Sequence, residues 1–394
     1  MKYLLLISLI VLSWNCMAQI DDKEIRHKKK DKVKTFRVNY PDGMKYVPSG
    51  SFKMQGKGYS SNATAANTRL MQMTGFYMDA TEVTNGQYGQ FTNWVKDSIA
   101  NTLVGDNVLV PGGSQKVEKK KINWNDTKVQ QQLSSIYPLD KKSGERRVDV
   151  IKLVYRYDFF DYNAYKRNTK ENPVLYLYGL EVPVYPDTSV LETAYSYNDP
   201  IARQYFSFQS FSNYPVVGVN LMQSIAYCDW RTKMWNEEHK DDVNVIESSF
   251  RIPTEEEWEW ASRGGSNAVP PILQPVLGKN VPGNLIKETN KADNAANGYG
   301  LRNMAGQVSE WTISGAPDYY EEQTSVTVLI KKHDGTLPTD DANRKIVRGG
   351  NWRHDHKDRQ AGVKFLYAID SASAYIGFRC VFSQVFTGTK KGGN

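Results

Sequence analysis

The sequence lacks the local signatures of several large enzyme classes. It contains no glycine-rich phosphate-binding loop followed by a helix and a lysine, no G-x-S-x-G nucleophile elbow and no internal repeat. Cysteine is scarce, with three residues in 394, at positions 16, 228 and 380. Because Cys16 falls in an N-terminal apolar segment, the two cysteines that remain are too few for a four-cysteine metal site.

The N-terminal segment MKYLLLISLIVLSWNCMAQ carries one early lysine and an apolar run of about ten residues. The run is too short to cross a bilayer and has the proportions of a secretory signal peptide, which we assign to residues 1–18. Two processing routes stay open. One is cleavage after Ala18; the other is lipid modification of Cys16, for which residues 13–15 (SWN) are unfavourable. Both routes export the chain, so the two remaining cysteines are expected to form one disulfide.

Charge is unevenly distributed along the chain. The formal net charge is +7, with 24% charged and 40% hydrophobic residues, a composition typical of a soluble globular protein. Residues 19–38 form a basic arm, in which eight Lys and Arg outnumber four Asp and Glu. We interpret the arm either as a solvated linker or as an electrostatic contact with anionic lipid or a partner protein. Nucleic acid is not predicted as a partner, because the rest of the chain is nearly neutral.

Three helix starts are marked by capping residues. Thr84 precedes apolar residues at helical spacing, and Asn220 precedes a second such pattern that follows the strand-like run PVVGV. Thr254 and Glu257 form a capping box at the start of a third helix, which Gly264 can terminate. The glutamates of this first turn are therefore explained by helix chemistry, and we assign them no catalytic role.

The remaining blocks of residues 39–387 combine short strands, glycines and tryptophans, which predicts an α+β domain rich in loops, followed by a tail at 388–394. Residues 100–213 interrupt this domain with charged runs and about half of the 24 tyrosines. We interpret them as an insertion, separable from a fold that is complete without it. The tyrosines either form a protein interface or pack the insertion's own core, and both interpretations stay open.

Seven blocks of the sequence resemble, in order, the signature blocks of the formylglycine-generating-enzyme (sulfatase-modifying factor) family. They are VPSGSFKMQGKG, FYMDATEVTNGQYGQF, PVVGVNLMQSIAYCDW, RIPTEEEWEWASRGG, NGYGLRNMAGQVSEW, IVRGGNW and IGFRC. The resemblance covers residues 40–99 and 214–385. It implies a C-type-lectin-like α+β fold with little regular secondary structure and, here, a large insertion.

The insertion adds a resemblance to one branch of that family. INWND, VPVYPDTSVLETAYSYNDP and the approach to YPVVGVN are similar to GldK/PorK-type proteins of Bacteroidetes gliding motility and type IX secretion, with the GldJ type as the near alternative. The branch implies a lipoprotein at the periplasmic face of the outer membrane. It also implies a ring built from copies of the chain, a GldN/PorN-like partner and other type IX secretion components. The implied role is structural rather than enzymatic.

Enzymes of the resembling family bind copper through a pair of cysteines upstream of the closing G-F-R-C. Counted back from Cys380, those positions hold His356 and Ala361, and Ser309 replaces a tryptophan of the active cleft. Because alanine cannot bind Cu(I), the resemblance implies neither copper nor the family's oxidase activity in this chain. Two rival functions stay open. One is a metal-dependent oxidoreductase that uses His354 and His356; the other is a glycan- or peptidoglycan-binding module.

The resemblance also implies a structural calcium site and one disulfide. The residues that match the family's calcium-binding run are Asn303, Gly306, Val308 and Glu310. They would supply an amide oxygen, backbone carbonyls and a carboxylate, which are hard ligands suited to Ca²⁺. A second family calcium site is doubtful, because only residues 284–285 (NL) resemble it. Cys228 and Cys380 occupy positions that pair in the resembling enzymes, so the disulfide is assigned to them.

Overall fold

The structure is a computed structural model that describes residues 40–54, 69–105, 122–160, 169–194, 202, 204–240, 245–265, 286–290, 295–315, 344–354 and 364–386. The chain divides into a short unit, Met1–Met44, and a large one, Lys45–Asn394. The predicted signal peptide with Cys16, the basic arm and the C-terminal tail lie outside the described residues. Within the described ranges, no helix combines the length and the apolar character that a membrane crossing requires.

The helices begin where the capping residues predict. They are α1 (Asn85–Leu103), α2 (Thr127–Gln132), α3 (Ser189–Ala194), α4 (Leu221–Glu238) and α5 (Glu255–Ser262). Thr84, Asn220 and Thr254 each accept a hydrogen bond from the backbone N–H three residues on, and that residue's side chain accepts one from the cap N–H. After α5 the chain turns at Gly264, whose φ of +59° is readily adopted by glycine. The three predicted helix starts are confirmed.

Short strands form two four-stranded sheets and two ribbons. They are β1 (Met44–Val47), β2 (Gly50–Met54), β3 (Arg69–Met73), β4 (Phe76–Asp79), β5 (Val154–Phe160), β6 (Leu177–Pro183), β7 (Val245–Arg251), β8 (Ser309–Gly315), β9 (Arg344–Arg348), β10 (Lys364–Ala368), β11 (Ile376–Gly377) and β12 (Val381–Phe386). The sheet orders are β1-β4-β12-β7 and β10-β9-β8-β11, and the ribbons are β2-β3 and β5-β6. In the first sheet β12 lies between β4 and β7, with Val381 opposite both Met78 and Arg251. The mixture of helix and sheet agrees with the predicted α+β class.

A cluster of aromatic side chains joins α1 to α4. The Tyr88 and Phe91 rings of α1 lie 5.6 and 5.9 Å from the ring of Tyr227 on α4, and Phe91 lies 5.4 Å from Trp230. Phe378 packs against the same cluster, 5.4 Å from Tyr227. Burying a large apolar side chain contributes about 1.5–3 kcal/mol. The cluster therefore holds the segment that leads into β12 firmly against both helices.

The β5-β6 ribbon of the insertion packs against this aromatic cluster. On the β5-β6 ribbon Tyr155, Tyr157, Leu180 and Val182 are buried. The ring of Tyr155 lies 5.3 Å from Phe91 of α1. Removing the ribbon would expose part of the aromatic cluster, and the expectation of a fold complete without residues 100–213 stays a prediction.

Hydrogen bonds connect the insertion to the same helices. The buried hydroxyl of Tyr88 donates to the carbonyl of Val184 at 2.9 Å. The Nε2 group of Gln223, in the first turn of α4, donates to the carbonyls of Pro183 and Tyr185 at 2.9 and 3.0 Å. Each of these carbonyls would lose its partner if the segments were separated. Local sequence patterns could not reveal this dependence, because the partners are distant in sequence.

A buried ion network lies on the inner face of α5. Glu255 accepts from Arg348 and Lys364 at 3.1 and 2.9 Å, and Glu259 accepts from Arg348 and Arg263 at 2.6 and 2.7 Å. All five side chains are at most 5% exposed. Buried charges require partners of this kind, because an isolated charge costs several kcal/mol. The helix glutamates thus have a tertiary role in addition to the predicted capping role of Glu257.

Candidate functional site

Glu310, the last residue of the run predicted to bind calcium, forms a buried ion pair with Arg379. Glu310 on β8 and Arg379, just before β12, are both 0% exposed. The Nε and Nη2 groups of Arg379 donate to the two carboxylate oxygens of Glu310, each at 2.6 Å. Trp258 of α5 donates from Nε1 to Oε2 of Glu310 at 2.7 Å. Both oxygens of Glu310 are therefore engaged, in a charge-assisted arrangement that fixes the orientation of the carboxylate.

Arg379 also connects this pair to two other segments. Its Nη1 donates to the carbonyl of Asp79 at 3.0 Å, and its Nη2 donates to the carbonyl of Arg302 at 2.9 Å. The carboxylate of Asp79 in turn accepts from Arg231 at 2.9 Å and from the backbone N–H of Cys380 at 2.9 Å. One guanidinium group therefore joins the end of β4, the loop before β8 and the start of β12.

A second buried carboxylate, Glu82, lies beside this network. Its Oε2 accepts from Nδ2 of Asn303 at 2.9 Å, and the same Nδ2 donates to the carbonyl of Thr289 at 2.9 Å. Burial raises the pKa of Glu82 to about 8; the charge of Arg379 opposes this rise, and the charge of Glu310 adds to it. Within the described residues, Oε1 of Glu82 and Oδ1 of Asn303 have no hydrogen-bond partner. Both of these oxygen atoms are buried and do not contact solvent.

The residues predicted to bind calcium fit that ion unequally. Asn303 and Gly306 adopt left-handed backbone conformations, with φ of +58° and +81°, and Val308 is fully buried. The Oδ1 atom of Asn303 is a hard oxygen without a partner, which suits Ca²⁺. The carboxylate of Glu310 is already engaged: Oε2 accepts from Trp258 and Arg379, and Oε1 accepts from Arg379. Calcium bound by Asn303, Gly306, Val308 and Glu310 therefore stays a prediction.

His354 and Ser309 both accept hydrogen bonds from Asn351. Asn351 donates from its backbone to Nδ1 of His354 at 3.3 Å and from Nδ2 to the hydroxyl of Ser309 at 3.3 Å. The ring of His354 lies 4.6 Å from that of Phe365. His356 and Ala361 lie outside the described residues. No group of three or more His, Cys, Asp and Glu able to hold a metal ion occurs in the described part of the chain.

The two cysteines of the predicted disulfide lie together. The Sγ atoms of Cys228 on α4 and Cys380 are 3.5 Å apart, and both side chains are buried. The structure describes them as thiols, and burial raises the pKa of the Cys380 thiol well above its usual value. The disulfide stays a prediction, while the proximity that it needs is present. Residues 284–285 of the doubtful second calcium site, like Cys16, lie outside the described ranges.

Several residues of this site were not selected by sequence reasoning. Glu82 lies in DATEVTNG and Arg379 in IGFRC, two blocks that were used only to establish the family resemblance. The available signal was the presence of one or two charged residues inside blocks that are otherwise apolar, small or uncharged. Such residues are almost never fully buried without a partner, so each one indicates a tertiary contact.

A different surface carries exposed apolar side chains. Among the described residues, large apolar side chains that are exposed occur mostly in the insertion: Leu103, Leu139, Ile151, Val174, Leu175, Leu177 and Phe208. Outside it they are Tyr46 and Leu70. Three of them, Val174, Leu175 and Leu177, follow one another closely at the start of β6, at 67%, 64% and 48% exposure, and we call them the ribbon tip. Contiguous exposed apolar groups are typical of interaction surfaces.

Part of the chain is similar in sequence to known formylglycine-generating enzymes. The formylglycine-generating enzyme of Mus musculus is 28% identical over 199 residues, 45% of this chain and 46% of that protein. The inactive C-alpha-formylglycine-generating enzyme 2 of Bos taurus is 30% identical over 188 residues, 42% of this chain and 50% of that protein. The chain thus spans about half of the length of the curated relatives that it matches. Among solved structures, the structure of PvdO from Pseudomonas aeruginosa aligns with 92% of this chain and with 99% of the PvdO chain, at 14% sequence identity and a TM-score of 0.42. This likeness is too weak to support further argument.

The family comparison extends over most of the chain. The sulfatase-modifying factor enzyme 1-like domain matches residues 29–384, which include the helices, the insertion and all strands described above except the last two residues of β12. The capping residues, the buried Glu310–Arg379 pair and the two adjacent cysteines all fall inside the matched region. The chain therefore belongs to the sulfatase-modifying factor enzyme 1-like domain family.

Proposed function

We propose that this chain is a non-enzymatic structural subunit of the type IX secretion and gliding motility machinery, of the GldK/PorK type. In this proposal it is exported to the periplasmic face of the outer membrane and forms a ring-like assembly with copies of itself and a GldN/PorN-like partner. Its domain would have the C-type-lectin-like form of the formylglycine-generating enzymes. The observation that carries the assembly role is the concentration of exposed apolar side chains in the insertion.

The absence of oxidase chemistry is supported by the residues at the family's copper positions. His356 and Ala361 occupy them, and alanine has no atom that can coordinate Cu(I). Ser309 is 1% exposed and bonded to Asn351, so a small hydroxyl stands where the resembling enzymes have an aromatic ring. The bovine relative is itself named as an inactive enzyme, so the family contains members named for the loss of this reaction.

The assembly role is supported by the chemistry of the ribbon tip. Val174 and Leu175 are more than 60% exposed, and apolar side chains in contiguous exposed positions lose unfavourable hydration when a partner covers them. Nearby on the same ribbon, Arg156 and Glu181 form an exposed ion pair at 3.5 Å. An apolar patch with charged residues at its margin is the usual composition of a protein interface.

We expect the purified, copper-treated protein to leave the cysteine of a sulfatase-type peptide unchanged. Because His356 and Ala361 stand at the family's copper positions, the family's copper site is not formed. No formylglycine should therefore form above a protein-free blank when the peptide is analysed by mass spectrometry. The control is an active formylglycine-generating enzyme treated identically, which should convert the same peptide. Copper-dependent turnover by this chain would falsify the non-enzymatic assignment.

We expect the chain to co-purify with a GldN/PorN-like protein when it is extracted from its native envelope in mild detergent. Imaging of the extracted material should show a closed assembly, because repeated heterologous contacts close into rings when the rotation between subunits permits. A tagged outer-membrane protein unrelated to secretion serves as the control for the extraction. Recovery of the chain as a monomer without that partner, in repeated extractions, would contradict the proposal and favour a binding module.

A further inference from the structure

The outer edge of the first sheet lies against a helix. Among the described strands, β7 pairs with β12 alone and ends the sheet order β1-β4-β12-β7. In an antiparallel pair, residues alternate between those whose N–H and C=O groups face the partner strand and those whose groups face away. At an edge strand, the groups that face away can pair with another chain. At β7, two of these groups are bonded to side chains of α4 instead.

Thr232 and Asn236 of α4 make these contacts. The backbone N–H of Phe250 donates to Oγ1 of Thr232 at 2.8 Å, and Nδ2 of Asn236 donates to the carbonyl of Ser248 at 2.9 Å. Because Phe250 and Ser248 are two residues apart, both direct their backbone groups away from β12. The Thr232 hydroxyl also donates to the carbonyl of Cys228 at 2.8 Å, so its hydrogen and an acceptor position are both in use.

The spacing of the two side chains matches the spacing of the strand. Residues four apart on a helix are displaced by about 6 Å along its axis. Residues two apart on a strand are displaced by about 6.6–6.8 Å. Thr232 contacts the later strand residue, Phe250, and Asn236 contacts the earlier one, Ser248, so α4 runs antiparallel to β7. One turn of the helix therefore bonds two successive outward positions of the edge, as an additional strand would.

Packing holds α4 against this edge. The Cζ atom of Arg231 lies 4.1 Å from the centroid of the Phe250 ring, and the ring of Trp235 lies 5.3 Å from that of Phe382 on β12. Ser248 and Phe250 are both buried. Another strand could reach the outward groups of these two residues only if α4 moved away from β7.

We propose that Thr232 and Asn236 close the edge of the first sheet against strand addition by a second copy of this chain. A second copy is the relevant partner, because two identical edge strands can pair antiparallel about a two-fold axis. By bonding the outward groups of β7, the two side chains remove the hydrogen-bonding positions that such a contact needs. The inference holds whether or not the chain forms a ring.

The test opens the edge in the full-length protein with the double substitution Thr232→Val/Asn236→Leu. Both changes keep the shape of the side chain and remove the group that bonds the strand. Hydrogen–deuterium exchange with mass spectrometry follows the peptide of residues 245–251. At low protein concentration we expect the amide of Phe250 to exchange roughly tenfold faster than in the wild type, because one hydrogen bond is lost.

The same variant should associate at high protein concentration. We expect the peptide of residues 245–251 to regain its protection as the concentration rises, because a strand of another copy then bonds the opened edge. Light scattering should show an increase in mass beyond that of the wild type. The local readout at β7 separates this contact from association through any other surface.

Thr232→Ser and Thr92→Val are the matched controls. Thr232→Ser keeps a hydroxyl at the edge. Thr92 lies on α1, is 5% exposed and donates to the carbonyl of Gly89 within its own helix, so Thr92→Val removes a hydroxyl without freeing a strand. Both variants should match the wild type in the exchange of residues 245–251 and in mass.

Three results would overturn the inference. One is a folded double variant whose β7 amides exchange as slowly as those of the wild type at low concentration. Another is a double variant that exchanges faster but stays unprotected and gains no mass at high concentration. The third is association of Thr92→Val to the same extent, which would make the effect one of general destabilisation. If the double variant does not fold, Thr232→Val is compared with Thr232→Ser in the same measurements. Extraction with the GldN/PorN-like partner tests the proposed function separately.

Discussion

Replacing Arg379 with methionine is expected to lower the free energy of unfolding by about 3–5 kcal/mol. The guanidinium is 0% exposed and is the cation that faces Glu310, whose two oxygens it bonds at 2.6 Å. Without it, Glu310 keeps only the bond from Trp258, and Glu82 lies beside a second uncompensated charge. Methionine fills similar volume, so the loss should come from the charge and the hydrogen bonds rather than from a cavity. Urea unfolding followed by circular dichroism measures it.

The matched control is Arg251→Met. Arg251 also bonds a glutamate through two nitrogens, at 2.7 and 2.6 Å to Glu257, but its side chain is 40% exposed. Solvent screens such a pair, and we expect a loss of about 1 kcal/mol or less. In the double variant Arg379→Met/Glu310→Gln, part of the stability should return, because both charges are gone. Equal losses in the free energy of unfolding for Arg379→Met and Arg251→Met would show that the buried ion pair stabilises the fold no more than the exposed pair does.

The double substitution Val174→Glu/Leu175→Lys is expected to weaken assembly by more than tenfold. The two side chains are 67% and 64% exposed in the isolated chain, so the change should leave its stability within about 0.5 kcal/mol. If a partner covers them, burying two charges in place of two apolar groups should cost about 2 kcal/mol or more, the size of an interface hot spot. Pull-down with the GldN/PorN-like partner and light scattering of the chain alone measure the two kinds of contact.

Leu70→Glu provides the control for that experiment. Leu70 lies on β3, outside the insertion, and is 70% exposed, so the substitution has the same character at a different surface. We expect it to leave both associations unchanged. If Leu70→Glu weakened association and the ribbon-tip variant did not, the interface would lie on the β2-β3 ribbon. The insertion would then contribute to the core and not to assembly.

The parts of the fold that were predictable from sequence are the ones with local causes. Thr84, Asn220 and Thr254 each start a helix because their side chains bond a backbone N–H three residues away, and that information is contained in four consecutive residues. The mixed α+β class followed from the same local patterns. The proximity of Cys228 to Cys380, 152 residues apart, was predicted from the count of cysteines in an exported chain and from the family resemblance rather than from any local pattern.

The parts that were not predictable depend on partners that are distant in sequence. The separability of residues 100–213 was argued from their charge and tyrosine content, yet Tyr155 packs on Phe91 and Tyr88 bonds the carbonyl of Val184. Glu310 was assigned to calcium by its position in a motif, whereas Arg379, 69 residues later, engages both of its oxygens. Composition and spacing describe a segment by itself, and they contain no information about which groups meet across the core.

The central position of β12 governs the order in which the domain can form. β4 ends at Asp79 and β7 at Arg251, and the two are joined into one sheet only through Val381–Phe386. A chain that emerges N-terminus first, from a ribosome or a translocation channel, presents two sheet edges with no strand between them until this segment arrives. Such edges favour pairing with other chains. We therefore expect completion of the sheet to be a late event, since β4 and β12 are separated by about 300 residues, and we expect the unfinished chain to be prone to pairing with other chains until then.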